Sequence, residues 1–215
     1  MRKIIVFAIF FKTVSLFSQS FNFDKKLDSL VNTYIDFNDV NYKALSYAIY
    51  LKTNEVRKSN NLSTLEYNKL LEEMAMLHSR DMVKNKFFSH ENPYDKNKKT
   101  IIDRAYYVGI RNPNIAENIA ESFGLQYKTN TKVYLRGKGK FSYTPQGDLI
   151  QPHTYISLAE QVVETWLNSP GHRKNLLNPS AVQIGCGSYF YYDSIFNYMP
   201  SFKVTQNFQL YEPVK

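Results

Sequence analysis

The amino-acid sequence predicts a single α+β domain organised around a mainly antiparallel sheet. Apolar residues recur at helical spacing between about 24 and 86. Two late segments, 182–192 and 200–210, alternate or run apolar as strands do. Helices followed by late strands are typical of an α+β sandwich, and 215 residues suit one domain preceded by a leader.

Residues 1–20 have the pattern of a signal peptide. Two basic residues at the start precede an apolar run, and Ser18 and Ser20 offer small side chains for cleavage. Lys12 interrupts the run, which is therefore too short for a transmembrane helix of about 20 apolar residues. We expect no transmembrane span in the mature protein; the alternative is a short N-terminal anchor.

Three helices are predicted after the leader, over 24–37, 43–58 and 64–86. The first lies in an N-terminal extension, 21–41. The third has one continuous apolar face formed by Leu71, Ala75, His78 and Met82.

The segment 88–100 is predicted to be a polar loop. Thr100 and Asp103 then form a capping box for a short helix, which Gly109 ends. The next residues, 112–123, fit either a short helix or an extended segment.

Residues 125–155 form a basic insertion with the pattern of a hairpin. Because they fall between Glu117 and His172, we expect both ends of the insertion near those residues. Its positive charge fits either a docking surface for anionic lipid or glycan, or lysines that protect an exposed strand edge. The basic residues are Lys128, Lys132, Arg136, Lys138 and Lys140.

The next helix is predicted to start at a capping box of Ser157 and Glu160. Its apolar stripe consists of Leu158, Val162 and Trp166. Ser169-Pro170 ends this helix and starts a short one.

Two of the four histidines are candidates for a shared site. His90 follows two aromatic residues that could anchor its loop, and His172 follows a Ser-Pro-Gly turn. His78 lies on an apolar stripe and is predicted to be a packed core residue, whereas His153, in the insertion, is expected at the surface.

Glu117 is flanked by apolar residues and is predicted to be partly buried, so it needs a partner. One interpretation is that Glu117 orients a histidine ring. The other is that its carboxylate tethers a loop.

Nucleophile candidates are poor. Cys186, the only cysteine, lies between two glycines and is expected to be a core filler, so no intrachain disulfide can form. Ser89 adjoins His90, but adjacency in sequence does not provide hydrogen-bond geometry.

Five ordered motifs resemble the CAP superfamily of cysteine-rich secretory, venom-antigen and pathogenesis-related proteins, in its bacterial SCP-like form. The resemblance covers about 42–209, and we place the CAP domain at 42–212. The motifs are His78-Ser79-Arg80-Asp81-Met82 with Phe87-Phe88-Ser89-His90, Asp103-Arg104, Ala116-Glu117-Asn118-Ile119-Ala120, Trp166 to Leu177, and Ile184-Gly185-Cys186-Gly187.

The resemblance implies a three-layer α–β–α sandwich, secretion, and a cleft of two histidines and two glutamates that in some members binds zinc or another divalent cation. His90, Glu117 and His172 match three of those positions. The fourth is Ser169 here, and Glu164 points to another side of the helix, about 200° from Trp166. The incomplete tetrad argues against a tetrad-based metal site or hydrolysis.

Three functions remain open. The first is a secreted or extracytoplasmic binding module for a lipid, glycan or protein. The second is a metal-dependent hydrolase or peptidase that uses His90, Glu117 and His172 as catalytic residues or metal ligands. The third is an adhesive surface protein. The formal net charge of +8, reduced by three if the leader is removed, is too mild to indicate nucleic-acid binding.

Overall fold

The computed structural model describes residues 25–215, so the predicted signal peptide, 1–20, lies outside the described residues. Along this part of the chain, helices and strands alternate in an α+β arrangement. The helices are α1 (Lys25–Leu30), α2 (Tyr42–Ser59), α3 (Lys69–Lys84), α4 (Ile101–Tyr107), α5 (Tyr155–Leu167) and α6 (Pro170–Leu176). The strands are β1 (Glu66–Tyr67), β2 (Ile115–Phe123), β3 (Tyr134–Gly137), β4 (Lys140–Ser142), β5 (Ala181–Asp193) and β6 (Met199–Leu210).

The central sheet has the strand order β1-β5-β6-β2. Its only parallel pair among the described strands is β1 with β5, and the other two pairs are antiparallel. This arrangement confirms the predicted α+β class with a mainly antiparallel sheet. The strands predicted over 182–192 and 200–210 are β5 and β6, and the ambiguous segment 112–123 supplies β2.

Helices cover both faces of this sheet, which makes the sandwich three layers thick. On one face, α2 and α5 pack into the main core with Ile184, Phe202 and Phe208. On the other face, α3 lies so close to β5 that a β-carbon at Gly185 or Gly187 would collide with the helix backbone. The two glycines around the buried Cys186 thus allow helix α3 to approach the sheet.

The stripe of α5 is buried as predicted, and Trp166 donates a hydrogen bond from Nε1 to the Ile119 carbonyl at 3.0 Å. The predicted capping box is wrong. Helix α5 starts one turn earlier at Thr154, whose hydroxyl accepts the Ser157 N–H at 3.2 Å. Ser157 is therefore the third helical residue rather than the cap.

The helix predicted over 24–37 is shorter than expected, because α1 ends at Leu30. Val31 and Ile35 are buried in the main core, and the Ile35 N–H donates to the His153 carbonyl at 2.9 Å. Residues 31–35 therefore pack against the start of α5 and do not continue the helix.

The insertion folds as the predicted hairpin, in which β3 pairs with β4. Its two ends meet at Leu125 and Pro152, just beyond the last residue of β2. Glu117 is six residues earlier on that strand, which corresponds to about 20 Å. The expectation that both ends of the insertion lie near Glu117 is therefore wrong.

No helix between residues 25 and 215 is both long enough and apolar enough to span a membrane.

Candidate functional site

Glu117 lies at the centre of a buried polar cluster. It occupies β2, paired in register with Asn207 of β6, and its side chain is fully buried. Arg104 of α4, also fully buried, places its Nη2 atom 3.0 Å and 2.9 Å from the two carboxylate oxygens of Glu117. This ion pair supplies the charge partner that a buried carboxylate needs.

His90 binds the same carboxylate from the solvent side. Its Nδ1 atom lies 2.9 Å from Glu117 Oε1, and 45% of its side chain is exposed. An ionised carboxylate can only accept hydrogen bonds, so His90 donates from Nδ1. In the neutral ring this leaves Nε2 free to accept a hydrogen bond from a ligand.

The pKa of Glu117 reflects these contacts. Burial alone would raise it, but the hydrogen bond from His90 and the positive charge of Arg104 together hold the pKa below its ordinary value. Glu117 is therefore ionised at neutral pH, which suits an orienting carboxylate and does not suit a general acid.

His78 forms the floor of the cluster. It is fully buried on α3, as predicted, and its Nε2 atom donates to the Ser89 carbonyl at 2.9 Å. The same nitrogen lies 3.9 Å from Glu117 Oε1. Burial lowers the pKa of His78 to about 4, so the ring is neutral at physiological pH.

The loop that carries His90 is held mainly by one of its two aromatic residues. Phe87 packs against the His78 ring, with the centroids 5.9 Å apart, whereas Phe88 is largely exposed. Lys203 of β6 adds a second anchor, because its Nζ atom donates to the Phe87 carbonyl at 2.8 Å. Of the two aromatic residues expected to anchor the loop, Phe87 does so, and the buried Lys203 holds the loop as well.

His172 lies in the first turn of α6, and two partly buried amide hydrogen bonds fix this helix to β2. Asn118 donates to the His172 carbonyl at 3.2 Å, and Asn175 donates to the Glu117 carbonyl at 3.2 Å. Burial and the nearby His90 lower the pKa of His172. Its Nδ1 atom is buried and has no hydrogen-bond partner within the described chain.

The structure therefore places His90, Glu117 and His172 at one site, which we call the cleft. As arranged, the three do not fit a metal ion. Both oxygens of Glu117 are hydrogen-bonded to a guanidinium cation, which would repel a divalent ion. Over residues 25–215, no three His, Cys, Asp or Glu side chains are grouped as metal ligands.

The remaining candidates are not part of the cleft. Cys186 is buried, and burial raises the pKa of its thiol, as expected of a core filler. The Ser89 hydroxyl accepts the Glu91 N–H rather than a histidine nitrogen. His153, predicted at the surface, is in fact buried and lies 2.9 Å from the Ser157 hydroxyl, because it packs at the start of α5.

Sequence reasoning missed Arg104 as the main partner of Glu117. A signal was present, because Ile101 and Ala105 lie beside Arg104 at helical spacing on α4 and Val108 caps the same face. A charged residue on the apolar face of a helix predicts a buried charge that needs a carboxylate.

Comparison with known proteins places this site in a family context. Residues 50–208 match the model of CAP, the cysteine-rich secretory protein family. Two Bacillus subtilis (strain 168) proteins, the uncharacterized protein YkwD and the uncharacterized membrane protein YlbC, are each 30% identical over 135 residues, or 63% of this chain. The alignment covers 38% and 29% of those proteins, so the chain spans well under half of their length.

Solved structures that are similar in fold include an SCP-domain protein. It is an extracellular protein containing an SCP domain from Bacillus anthracis str. Ames, and it is 27% identical with a TM-score of 0.51. The match covers 79% of this chain and 41% of that one.

Proposed function

The chain belongs to the CAP family, and from that premise we propose that it is an extracytoplasmic, non-catalytic binding module whose cleft takes a lipid, glycan or protein ligand. The observation that carries this proposal is the commitment of Glu117 to Arg104 and His90. A buried carboxylate that already accepts three internal hydrogen bonds, two of them from a guanidinium cation, is poorly suited to bind a metal or to accept a substrate proton.

The groups left free in the cleft are suited to hydrogen bonding. His90 offers Nε2 while Glu117 fixes the orientation of its ring. The Nδ1 atom of His172 is buried and lacks a partner in the described chain, so a small shift of this ring on binding would satisfy it. Imidazole nitrogens hydrogen-bond to hydroxyl and amide groups, which favours the polar part of a ligand over an acyl chain.

The extracytoplasmic location rests on two supports. The pattern of residues 1–20 is that of a signal peptide. The Bacillus anthracis SCP-domain protein of similar fold is described as extracellular. Mass spectrometry of the exported protein should find about 20 residues removed. An intact Met1 in that form would contradict the processing.

The binding proposal is tested by labelling the histidines with ¹³C and following their ring signals by NMR. The probes are chitotetraose, a tetra-alanine peptide and a lysophospholipid. We expect at least one probe to shift the His90 and His172 signals and to be recovered unchanged. The variant His90→Ala should lose the shift of the His172 signal. The control variant Lys58→Gln changes an exposed residue and no histidine, so it should keep both shifts.

The alternative is a metal-dependent hydrolase or peptidase that uses the same three residues. The orientation of His90 by a carboxylate is compatible with it, because metal-ligating histidines are often held in this way. Cleavage of a probe that requires added zinc and both histidines would support the hydrolase and contradict the binding module.

A further inference from the structure

The insertion hairpin and the turn between β5 and β6 form one continuous end of the molecule. Gly139 donates a backbone hydrogen bond to the Asn197 carbonyl at 3.0 Å. The Phe196 ring stacks on Phe141 of the hairpin, with the centroids 5.9 Å apart. We call residues 132–140 together with 193–198 the distal end.

Large apolar side chains protrude from the distal end. Ile195, at the tip of the β5–β6 turn, is 95% exposed, and Leu135 on the hairpin is 53% exposed. Tyr198 is also exposed and carries Lys138 Nζ at 3.7 Å from its ring centroid. The turn itself is well formed, because the Asp193 carboxylate accepts the N–H groups of Ile195 and Phe196.

Exposed basic side chains of the hairpin lie beside these apolar groups. All the basic side chains between 128 and 140 are exposed, and the sole acid of the insertion is Asp148. Two carboxylates lie near Ile195: Asp193 accepts N–H groups of the turn, and Glu121 accepts a hydrogen bond from the Tyr191 hydroxyl. The distal end therefore presents the hairpin cations beside protruding apolar side chains.

The distal end is separate from the cleft. Glu117 lies near the start of β2, whereas the insertion leaves from its far end at Phe123. The six intervening residues correspond to about 20 Å of strand. A partner at the distal end would thus leave the cleft open.

We propose that the distal end docks on an anionic lipid bilayer, with Ile195 inserted among the headgroups and the hairpin lysines above them. A protruding apolar residue beside a group of exposed cations matches the interfacial zone of a membrane. Tyrosines such as Tyr198 prefer that same zone. An acidic glycan could also meet the hairpin charges, but it offers no apolar interior for Ile195, which is 95% exposed.

The test uses the exported form of the chain and two kinds of vesicle, phosphatidylcholine alone and phosphatidylcholine with phosphatidylglycerol. We expect co-sedimentation with the anionic vesicles at low salt and its loss at high salt. The double variant Lys138→Gln/Lys140→Gln should weaken binding about 25-fold, or roughly fivefold for each charge. The charge-matched control Lys58→Gln/Lys174→Gln should bind as the wild type does.

Insertion is measured separately with Ile195→Trp. Trp166 is buried, so the new side chain supplies the environment-sensitive signal. Its emission should shift to the blue on anionic vesicles and be quenched by brominated acyl chains. Ile195→Ser should weaken vesicle binding about tenfold, yet keep any response of the cleft histidines, which separates this proposal from the binding function of the cleft.

Three results would overturn the proposal. Equal binding by the lysine variant and its control would show that the hairpin charges play no part. Binding to dextran sulfate at low salt without a shift of the Ile195→Trp emission on vesicles would assign the surface to acidic glycans. No vesicle binding at low salt would leave the lysines as protection of an exposed strand edge.

Discussion

Arg104 and Glu117 form a fully buried ion pair in which one guanidinium nitrogen contacts both carboxylate oxygens, at 3.0 Å and 2.9 Å. The pair joins α4 to β2, and the same carboxylate orients the exposed ring of His90. The stability of the fold and the geometry of the cleft therefore both depend on the Glu117 side chain.

Removing one partner of this ion pair should strongly destabilise the fold. Arg104→Met leaves the Glu117 carboxylate buried without its main counter-charge, and we expect a loss of about 3–5 kcal/mol in the free energy of unfolding. Urea denaturation at neutral pH measures the change. The double variant Arg104→Met/Glu117→Leu should lose less than the two single variants combined, because no charge remains uncompensated. Strict additivity would contradict the coupling.

Stability should fall as the pH is lowered from 6.5 towards 4. Burial lowers the pKa of His78 from an ordinary 6.5 to about 4, so across this range the unfolded chain binds a proton that the folded chain does not. The expected contribution is up to about 3 kcal/mol. His153 and His172, whose pKa values are also lowered by burial, act in the same direction.

This prediction is checked by urea denaturation at several pH values, with NMR titration of the His78 ring. The variant His78→Gln should show a shallower dependence of unfolding free energy on pH. Titration of His78 near 6.5 in the folded protein would show that its ring is not held neutral.

The close approach of α3 to β5 makes Gly185 sensitive to any side chain. Gly185→Ala places a methyl group against the backbone of Leu71 and Glu72, and we expect a loss of at least about 3 kcal/mol. Gly171→Ala is the matched control, because nothing lies within 4 Å of its position on α6. That variant should be neutral or gain about 0.5–1 kcal/mol. Thermal unfolding of both proteins gives the comparison.

The fold was largely predictable because apolar periodicity reports which faces are buried. The stripe of Trp166 and the strand pattern around Cys186 led directly to α5 and β5. The start of α5 was not predictable in the same way, because Thr154 and Ser157 are both good caps and tertiary packing selects the first.

The cleft was predictable as a set of residues but not as a set of contacts. His90, Glu117 and His172 lie together as the motifs suggested, whereas the roles of Arg104 and Lys203 depend on how α4 and β6 approach β2 in space. Pairings between distant segments leave little trace in local sequence patterns, which also explains the misplaced ends of the insertion.

Ser169 offers a way to build the missing carboxylate. It is the N-cap residue of α6 and makes no side-chain cap hydrogen bond, so Ser169→Glu removes no cap contact. A glutamate there supplies a carboxylate near His172 that Arg104 does not occupy. We expect this variant to bind divalent cations more tightly than the wild type, as measured by titration calorimetry. No gain, with the fold intact, would show that the cleft cannot be converted into a metal site by one carboxylate.

The most direct test of the account is a calorimetric zinc titration of the exported wild-type protein beside His90→Ala and His172→Ala. If Glu117 is committed to Arg104, the wild type should show no one-to-one zinc binding that depends on both histidines. One zinc ion per chain in the wild type, lost in both alanine variants, would contradict the account and identify the cleft as a metal centre.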